Sequence, residues 1–227
     1  MRQRSYLLKN YNNKLADIYD VATKKKITLW KAPRNINAIL MPLLKGKCRI
    51  LDLGIGTGQS VEKFSQQGHS IVGMDISRRM LDKVRQKLPV AKTYLCDLEN
   101  NFPKLKKGSF DVVISSGVFE FIQDLDKVFD FVSHILKPQG YFCFTFEEFL
   151  PKSKLQKWEI GELGKGIFEP IPKPLSFFVY RRTILDIKAT LSSHGLIFLK
   201  QKRFIAYHKS NKIPVIYRLI LARHNSA

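Results

Sequence analysis

A short apolar run, Cys48–Leu53, ends in three glycines at alternate positions, Ile50-Leu-Asp52-Leu-Gly54-Ile-Gly56-Thr-Gly58-Gln-Ser60, and a helical pattern begins directly after them. A strand that runs through a glycine loop into a helix restricts the chain to few folds. It also marks a place where backbone approaches a ligand closely, because glycine takes conformations closed to other residues. Two common meanings of such a loop are excluded by its letters. A phosphate loop ends in Gly-Lys-Ser/Thr, whereas this one ends in Gly58-Gln-Ser60. A dinucleotide fingerprint reads G-x-G-x-x-G, which would need glycine at position 59, where the chain has Gln. An acid followed by G-x-G-x-G, Asp52 to Gly58, is what remains.

The residues around the loop alternate between strand and helix patterns. Strands are expected at Cys48–Leu53, Ser70–Asp75, Thr93–Cys96, Phe110–Ser115 and Tyr141–Phe146. Between them, Ser60–Gln67, Arg78–Leu88 and Asp124–Leu136 carry apolar residues at helical spacing. Gly68 suits the end of the first of these helices, and Lys137-Pro-Gln-Gly140 reads as a turn. Alternation of this kind builds a parallel sheet with helices on both faces. Upstream, residues 5–22 place Tyr11, Leu15, Ile18, Tyr19 and Ala22 on one helical face. A short helix should start at Pro33, with Ile36, Ile39 and Leu40 inward, and end near Pro42. Residues 150–180, with four prolines and three glycines, break the rhythm and read as an inserted lid. Arg181–Ser193 returns to helix. Leu196–Tyr207 and Ile213–Ala222 then follow with only a short loop between them, so they must pair antiparallel. The expected organisation is one domain: a helical cap over 1–45, a core over 46–149, the insertion, and a helix with a hairpin over 181–227.

Composition narrows the function. No apolar run among the 227 residues approaches the roughly 20 that a membrane helix needs. The first residues show no apolar core of a signal peptide, and Cys48, Cys96 and Cys143 lie far apart with no metal spacing. Together these point to a reducing cytoplasm. The net charge is +20, and it is unevenly placed: +10 over residues 1–49, −1 over 50–149 and +11 over 150–227. Basic flanks around a neutral middle imply anionic partners, whether nucleic acid, lipid or an acidic metabolite. Surface lysine that only keeps the chain soluble is the alternative.

From Arg49 to Glu148 the chain resembles the Rossmann-like class I S-adenosylmethionine-dependent methyltransferases, and more weakly so to the C-terminal hairpin. The likeness rests on five features in order: the Asp52–Gly58 loop, Asp75 at the end of the second strand, Cys96-Asp97-Leu98 after the third, Phe110–Ile122 through the fourth, and Leu136-Lys-Pro-Gln-Gly140 before the fifth. The resemblance implies a three-layer sandwich around a seven-stranded, mostly parallel sheet ending in an antiparallel hairpin. It also implies S-adenosyl-L-methionine as cofactor. Asp75 is then the carboxylate for the ribose hydroxyls and Asp97 holds the adenine amino group, with Leu98 offering a backbone N–H. Asp52 orients the loop or meets the methionine amino group. Gly54, Gly56 and Gly58 shape the loop, Ile76 and Met80 pack on the adenosine, and Ser115 closes the site at the fourth strand. Asp97 as a capping residue, and Ile76 and Met80 as plain core, are the competing readings.

Methyl transfer disperses charge, so positioning in a dry site is its main requirement. No dedicated base is essential, but Glu120 is the candidate. Trp30, in Leu29-Trp-Lys-Ala-Pro33, is the candidate lid over the cofactor, with a core tryptophan as the competitor. Tyr180 and Arg181 are substrate candidates, and Lys31, Arg181 and Arg182 are candidate cations at the cleft mouth. The segment Ser115-Ser-Gly-Val lacks the Asn/Asp-Pro-Pro-aromatic clamp of enzymes that methylate exocyclic amines of bases. No residues show metal-ligand spacing. The expected acceptor is a small, anionic molecule, with RNA as the alternative. The oligomeric state is not encoded in any pattern.

Overall fold

The computed structural model describes residues 2–24, 29–90, 92–150, 179–208 and 214–225, with side chains from residue 5 onward and excepting that of residue 24. Of the insertion expected at 150–180, only its first residue and its last two fall within them. Two N-terminal helices, α1 (Arg2–Leu15) and α2 (Tyr19–Lys24), precede α3 (Ala32–Leu40), which passes into a 3-10 turn at Met41–Leu43. The alternating core follows: β1 (Arg49–Leu53), α4 (Glu62–Gln66), β2 (Ser70–Asp75), α5 (Arg78–Lys87), β3 (Lys92–Leu95), β4 (Phe110–Ser115), a 3-10 turn at Phe119–Phe121, α6 (Asp126–Ile135) and β5 (Leu136–Glu147). The chain closes with α7 (Ile184–Ser193), β6 (Leu196–His208) and β7 (Pro214–His224).

The seven strands form one sheet in the order β3-β2-β1-β4-β5-β7-β6. The first five run parallel, and β7 inserts antiparallel between β5 and β6. Successive strand residues point to opposite faces, and the core divides accordingly. Leu51, Leu53, Val72 and Val113 join Val128, Phe129 and Val132 of α6 and Ile187 and Leu191 of α7 on one side. Ile50, Ile71, Val112 and Ile114 join Ile36 and Leu40 of α3, Phe64 of α4, and Leu81 and Val84 of α5 on the other. This is the expected three-layer sandwich. β2 and β4 span the predicted residues without error, because each is an apolar run closed at its end by a polar loop.

Three local expectations are corrected. The single helix over 5–22 is broken at residues 16–18, and Ile18, read as part of its apolar face, is 57% exposed. The Lys137–Gly140 turn is the irregular beginning of β5, with Gln139 at φ 63° and a register shift against β4. The last helix starts at Ile184 rather than Arg181. Thr183 and Asp186 form a reciprocal capping box that supplies the first-turn N–H groups with acceptors. The Thr183-x-x-Asp186 spacing was present in the sequence as the signal for that start.

Candidate functional site

Strand order reverses between β1 and β4, and the crevice outside the carboxyl ends of the strands at such a point is where open α/β sheets bind ligands. A cleft opens there, lined by the glycine loop, the ends of β2, β3 and β4, and residues from α1 and α2. Gly54 and Gly56 line it at φ 75° and 53°. A Cβ on Gly54 would lie 2.3 Å from the Val118 side chain, whereas a Cβ on Gly56 would stand in open space. The loop is fastened by the amides of Gly54 and Ile55, both donating to the Met74 carbonyl at 2.8 Å. Gly58 does not line the cleft. Its missing Cβ lets the loop pack against Val84 and Leu88.

Asp75 ends β2 at the cleft wall. Its Oδ2 accepts from the Gly56 amide at 2.9 Å and its Oδ1 from the Ser77 amide at 2.8 Å. The Ile76 amide also donates to the carboxylate, which with about four lone-pair sites retains capacity to accept from a ligand. Burial raises its pKa to about 6 despite these N–H groups. Ile76, Met80, Asp97 and Leu98 all line the same cleft. Asp97 is held by Glu99 and Asn100, which donate to Oδ1 at 3.0 Å and Oδ2 at 2.6 Å. Ser115 is fully buried beneath the cleft with its hydroxyl donating to the Leu53 carbonyl at 3.0 Å, and Ser116 and Gly117 line the surface in its place.

Asp52 lies behind the loop, 1% exposed, and neither carboxyl oxygen has a hydrogen-bond partner among the described residues. Burial first, and then Asp75 nearby, push its pKa to about 8. A buried carboxyl with no donor is costly, and a cationic ligand group close by would relieve it. An acid whose pKa is raised on folding contributes full stability only below its unfolded value, and that stability falls as pH rises toward about 8. Asp52→Asn removes the titration. The variant should melt at least as high as the parent at pH 5 and several degrees higher at pH 8, and should bind an ammonium-bearing ligand more weakly. A melting series from pH 4 to 9 checks this, and a constant gap across the series would show that Asp52 does not titrate in that range.

The residues that sequence reasoning missed come from the N-terminal helices. Ser5, Leu8 and Asn12 of α1 and Tyr19 of α2 line the cleft. Asp20 fastens α2 to the loop, accepting from Thr57 Oγ1 at 2.6 Å and Gln59 Nε2 at 2.8 Å and pairing with Lys87 at 3.2 Å. Tyr19 stands close enough to Glu120 and Asp75 for both to raise its pKa, after burial itself.

The acceptor-side candidates gather around Glu120, which is 3% exposed. Its Oε1 accepts from the Tyr217 hydroxyl at 2.5 Å. Trp30 packs over Gly117 and meets Tyr217 edge-on, with centroids 5.2 Å apart, and is not among the cleft-lining residues. The Tyr180 amide donates to the Glu120 carbonyl at 2.6 Å and its hydroxyl to Gln123 at 3.3 Å.

Two expected cleft-mouth cations are elsewhere. Arg181 is 1% exposed and its Nε pairs with Glu147 at 2.6 Å. Arg182 donates to the backbone carbonyls of Phe119, Ile122, Gln123 and Tyr180. Arg203 and Arg218 both pair with Glu148. Lys31 alone of the three is exposed, just ahead of α3.

Fold and cleft define a doubly wound α/β protein that takes an adenosyl-type ligand at the switch point. The residues present suit such a ligand: a buried carboxylate at Asp75, an open cradle at Gly56 and a carboxyl at Asp52 that has no partner among the described residues. Residues 51–144, less than half of the chain, match the methyltransferase domain family. The chain is similar to the 18S rRNA (guanine-N(7))-methyltransferase of Bos taurus, 34% identical over 97 residues, which cover 43% of this chain and 32% of that one. It is likewise similar to the biotin biosynthesis bifunctional protein BioHC of Cellvibrio japonicus, 30% identical over 100 residues, 44% of this chain and 20% of that one. The matched segment thus spans less than half of these curated relatives. Among solved structures, the Burkholderia thailandensis 1,6-didemethyltoxoflavin-N1-methyltransferase, with 1,6-didemethyltoxoflavin and S-adenosylhomocysteine bound, superposes with a TM-score of 0.70 at 17% identity. The superposition covers 99% of this chain and 90% of that one. A methyltransferase of Methanosarcina mazei superposes with a TM-score of 0.71 at 15% identity, covering 83% of this chain and 98% of that one. No helix of the described residues is long and apolar enough to cross a membrane.

Proposed function

We propose that the chain binds S-adenosyl-L-methionine in the switch-point cleft and transfers its methyl group to a small-molecule acceptor by direct displacement. The observation that carries this is Asp75: a buried carboxylate at the end of β2 and the wall of the cleft, held by the backbone N–H groups of Gly56, Ser77 and Ile76. In this reading Asp75 takes the ribose hydroxyls, Asp97 and the Leu98 amide take the adenine, and Ile76 and Met80 pack on it. Asp52 compensates the amino group, directly or through water. The methyl group is supplied as a sulfonium substituent, and the protein orients it and excludes water from it.

Calorimetry tests the reading. S-adenosylhomocysteine should bind, while NAD and ATP should not; binding of NAD or ATP in its place would overturn it. The N-terminal helices α1 and α2 are proposed to close over the ligand; the insertion expected to close with them lies almost wholly outside the described residues. Hydrogen exchange with and without S-adenosylhomocysteine should show α1 and α2 gaining protection, and equal protection in both states would contradict closure.

Since Arg181, Arg182, Arg203 and Arg218 are engaged by Glu147, Glu148 and backbone carbonyls, attraction for an anion rests in this reading on the other basic residues of the flanks, such as the exposed Lys31 and Arg34. That is also what an RNA acceptor would use. The basic flanks and the similarity to the Bos taurus rRNA (guanine-N(7))-methyltransferase at 34% identity favour this second reading. RNA that copurifies at low salt and is lost at high salt would support it.

A further inference from the structure

Two stretches of the chain hold no acid at all. Residues 21–49 and residues 187–227 each carry eight Lys and Arg and no Asp or Glu. They lie far apart in sequence, and the fold brings them together at one edge of the sheet. There β6 is the edge strand, with β7 and α3 beside it. The Lys31 amide donates to the Ala206 carbonyl at 3.3 Å, and Lys202 Nζ donates to Asn35 Oδ1 at 2.8 Å. Lys200 and Lys202 stand opposite Leu221 and Leu219 in the ladder, and those leucines pack with Ile36 and Leu40 of α3. Side chains alternate along a strand, so both lysines lie on the α3 face. Lys31 and Arg34, three residues apart, share one side of the helix start. All four cations are exposed, and none has an acid partner among the described residues. The other face of the hairpin differs: there Arg203 and Arg218 are both neutralised by Glu148.

We infer that this edge is a docking track for single-stranded RNA, with Lys31, Arg34, Lys200 and Lys202 holding its phosphates. Surface lysine that only keeps a chain soluble mixes with acids, as it does over residues 50–149, which balance to −1. Here the charge is segregated, and the cations run in a line rather than over a plane. From Ala206 to Lys200 the strand covers roughly 20 Å at about 3.3 Å per residue, enough for several phosphates of one strand. The line begins at the cleft: Trp30, next to Lys31, packs over Gly117, which lines it. No Lys or Arg lines the cleft among the described residues, so a polyanion is held outside it and alongside it. RNA suits a sheet edge better than DNA does. An edge strand presents outward N–H and C=O groups, and the 2′-hydroxyl is both donor and acceptor. The track lies outside the cofactor cleft, so RNA docking goes beyond the methyl-transfer reading and stands or falls apart from it.

Fluorescence anisotropy of a labelled, mixed-sequence RNA, read between about 50 and 200 mM salt, is the test. The parent should bind with a dissociation constant on the order of micromolar, weakening as salt rises. Each phosphate contact on a single strand adds about 0.7 to the slope of log K against log salt. Lys31→Ala, Arg34→Ala, Lys200→Ala and Lys202→Ala together should therefore lower the slope by about 3. Exposed substitutions of this kind cost little stability, so the melting temperature and the affinity for S-adenosylhomocysteine should match the parent's. If the four-alanine variant melts lower, Lys200→Ala with Lys202→Ala decides, with a fall of about 1.4 in the slope. Lys104→Ala, Lys106→Ala and Lys107→Ala remove exposed charge from the loop ahead of β4, at the other end of the sheet from the cleft, and should leave the slope unchanged. DNA of the same sequence should bind several-fold more weakly. An unchanged slope in the four-alanine variant, an equal fall in the loop variant, or equal binding of DNA overturns the RNA track. Phosphatidylserine vesicles that bind more tightly than RNA, and lose that binding in the four-alanine variant, would give the edge to a membrane and overturn it too. If S-adenosylhomocysteine binds neither protein while the RNA slopes behave as stated, the methyl-transfer reading falls and the track stands.

Discussion

Asp75→Ala should lower the affinity for S-adenosylhomocysteine by on the order of a hundredfold or more. Two ribose hydroxyls donating to a carboxylate are lost, each worth roughly 1.5–3 kcal/mol, and tenfold corresponds to about 1.4 kcal/mol. The same carboxylate also holds the Gly56 amide, so the loop loses an anchor. Asp75→Asn keeps one acceptor oxygen and should fall between the two. Calorimetry of all three proteins checks the ranking. Unchanged affinity in the alanine variant would remove Asp75 from the site.

A large effect of another kind is expected at Arg181. Arg181→Ala leaves the Glu147 carboxylate, 6% exposed, without its ion-pair partner. Breaking a buried pair from one side costs about 3–5 kcal/mol. For a chain of this size each kcal/mol shifts the melting temperature by about 2–4 °C, so a loss on the order of 10 °C is expected. An exposed cleft-mouth arginine would cost less than about 1 kcal/mol and would instead alter the acceptor step. A thermal melt therefore separates a core ion pair from a docking cation. A melting temperature within a degree or two of the parent would contradict the burial of this pair.

The contrast between these residues shows what a sequence carries. Asp75 was legible because its place is set by two local patterns, an apolar strand and a helix that Ser77 caps by accepting from the Met80 amide. The glycine loop was legible for the same reason: positive φ and close approach demand glycine wherever the loop occurs. Arg181 was not, since a lysine- and arginine-rich stretch reads alike whether solvated or buried. The available hint was the adjacent pair Glu147-Glu148 at the end of an apolar strand, two acids that a buried strand end must neutralise. Tyr19 was seen as part of a helical face, but periodicity says only that a face is covered, not by what. It reaches the cleft because Asp20 binds Thr57, Gln59 and Lys87, contacts more than thirty residues away along the chain. Ser115 and Ser116 differ only in strand phase. The alternation that buries Val113 also turns Ser115 under the sheet, leaving Ser116 on the cleft.

The Glu120 environment is likewise non-local. It joins a turn after β4 to Tyr217 on the antiparallel strand β7, whose position beside β5 follows from topology rather than from any motif.

The central claim is that the switch-point cleft holds S-adenosylmethionine through Asp75 and the glycine loop. A crystal structure of the chain with S-adenosylhomocysteine tests it most directly. The account predicts both ribose hydroxyls within hydrogen-bond distance of the Asp75 carboxylate, the adenine between Ile76 and the Asp97-Leu98 turn, and the ammonium group on the Asp52 side of the loop. A ligand seated elsewhere, or one in this cleft with its ribose turned away from Asp75, would contradict it.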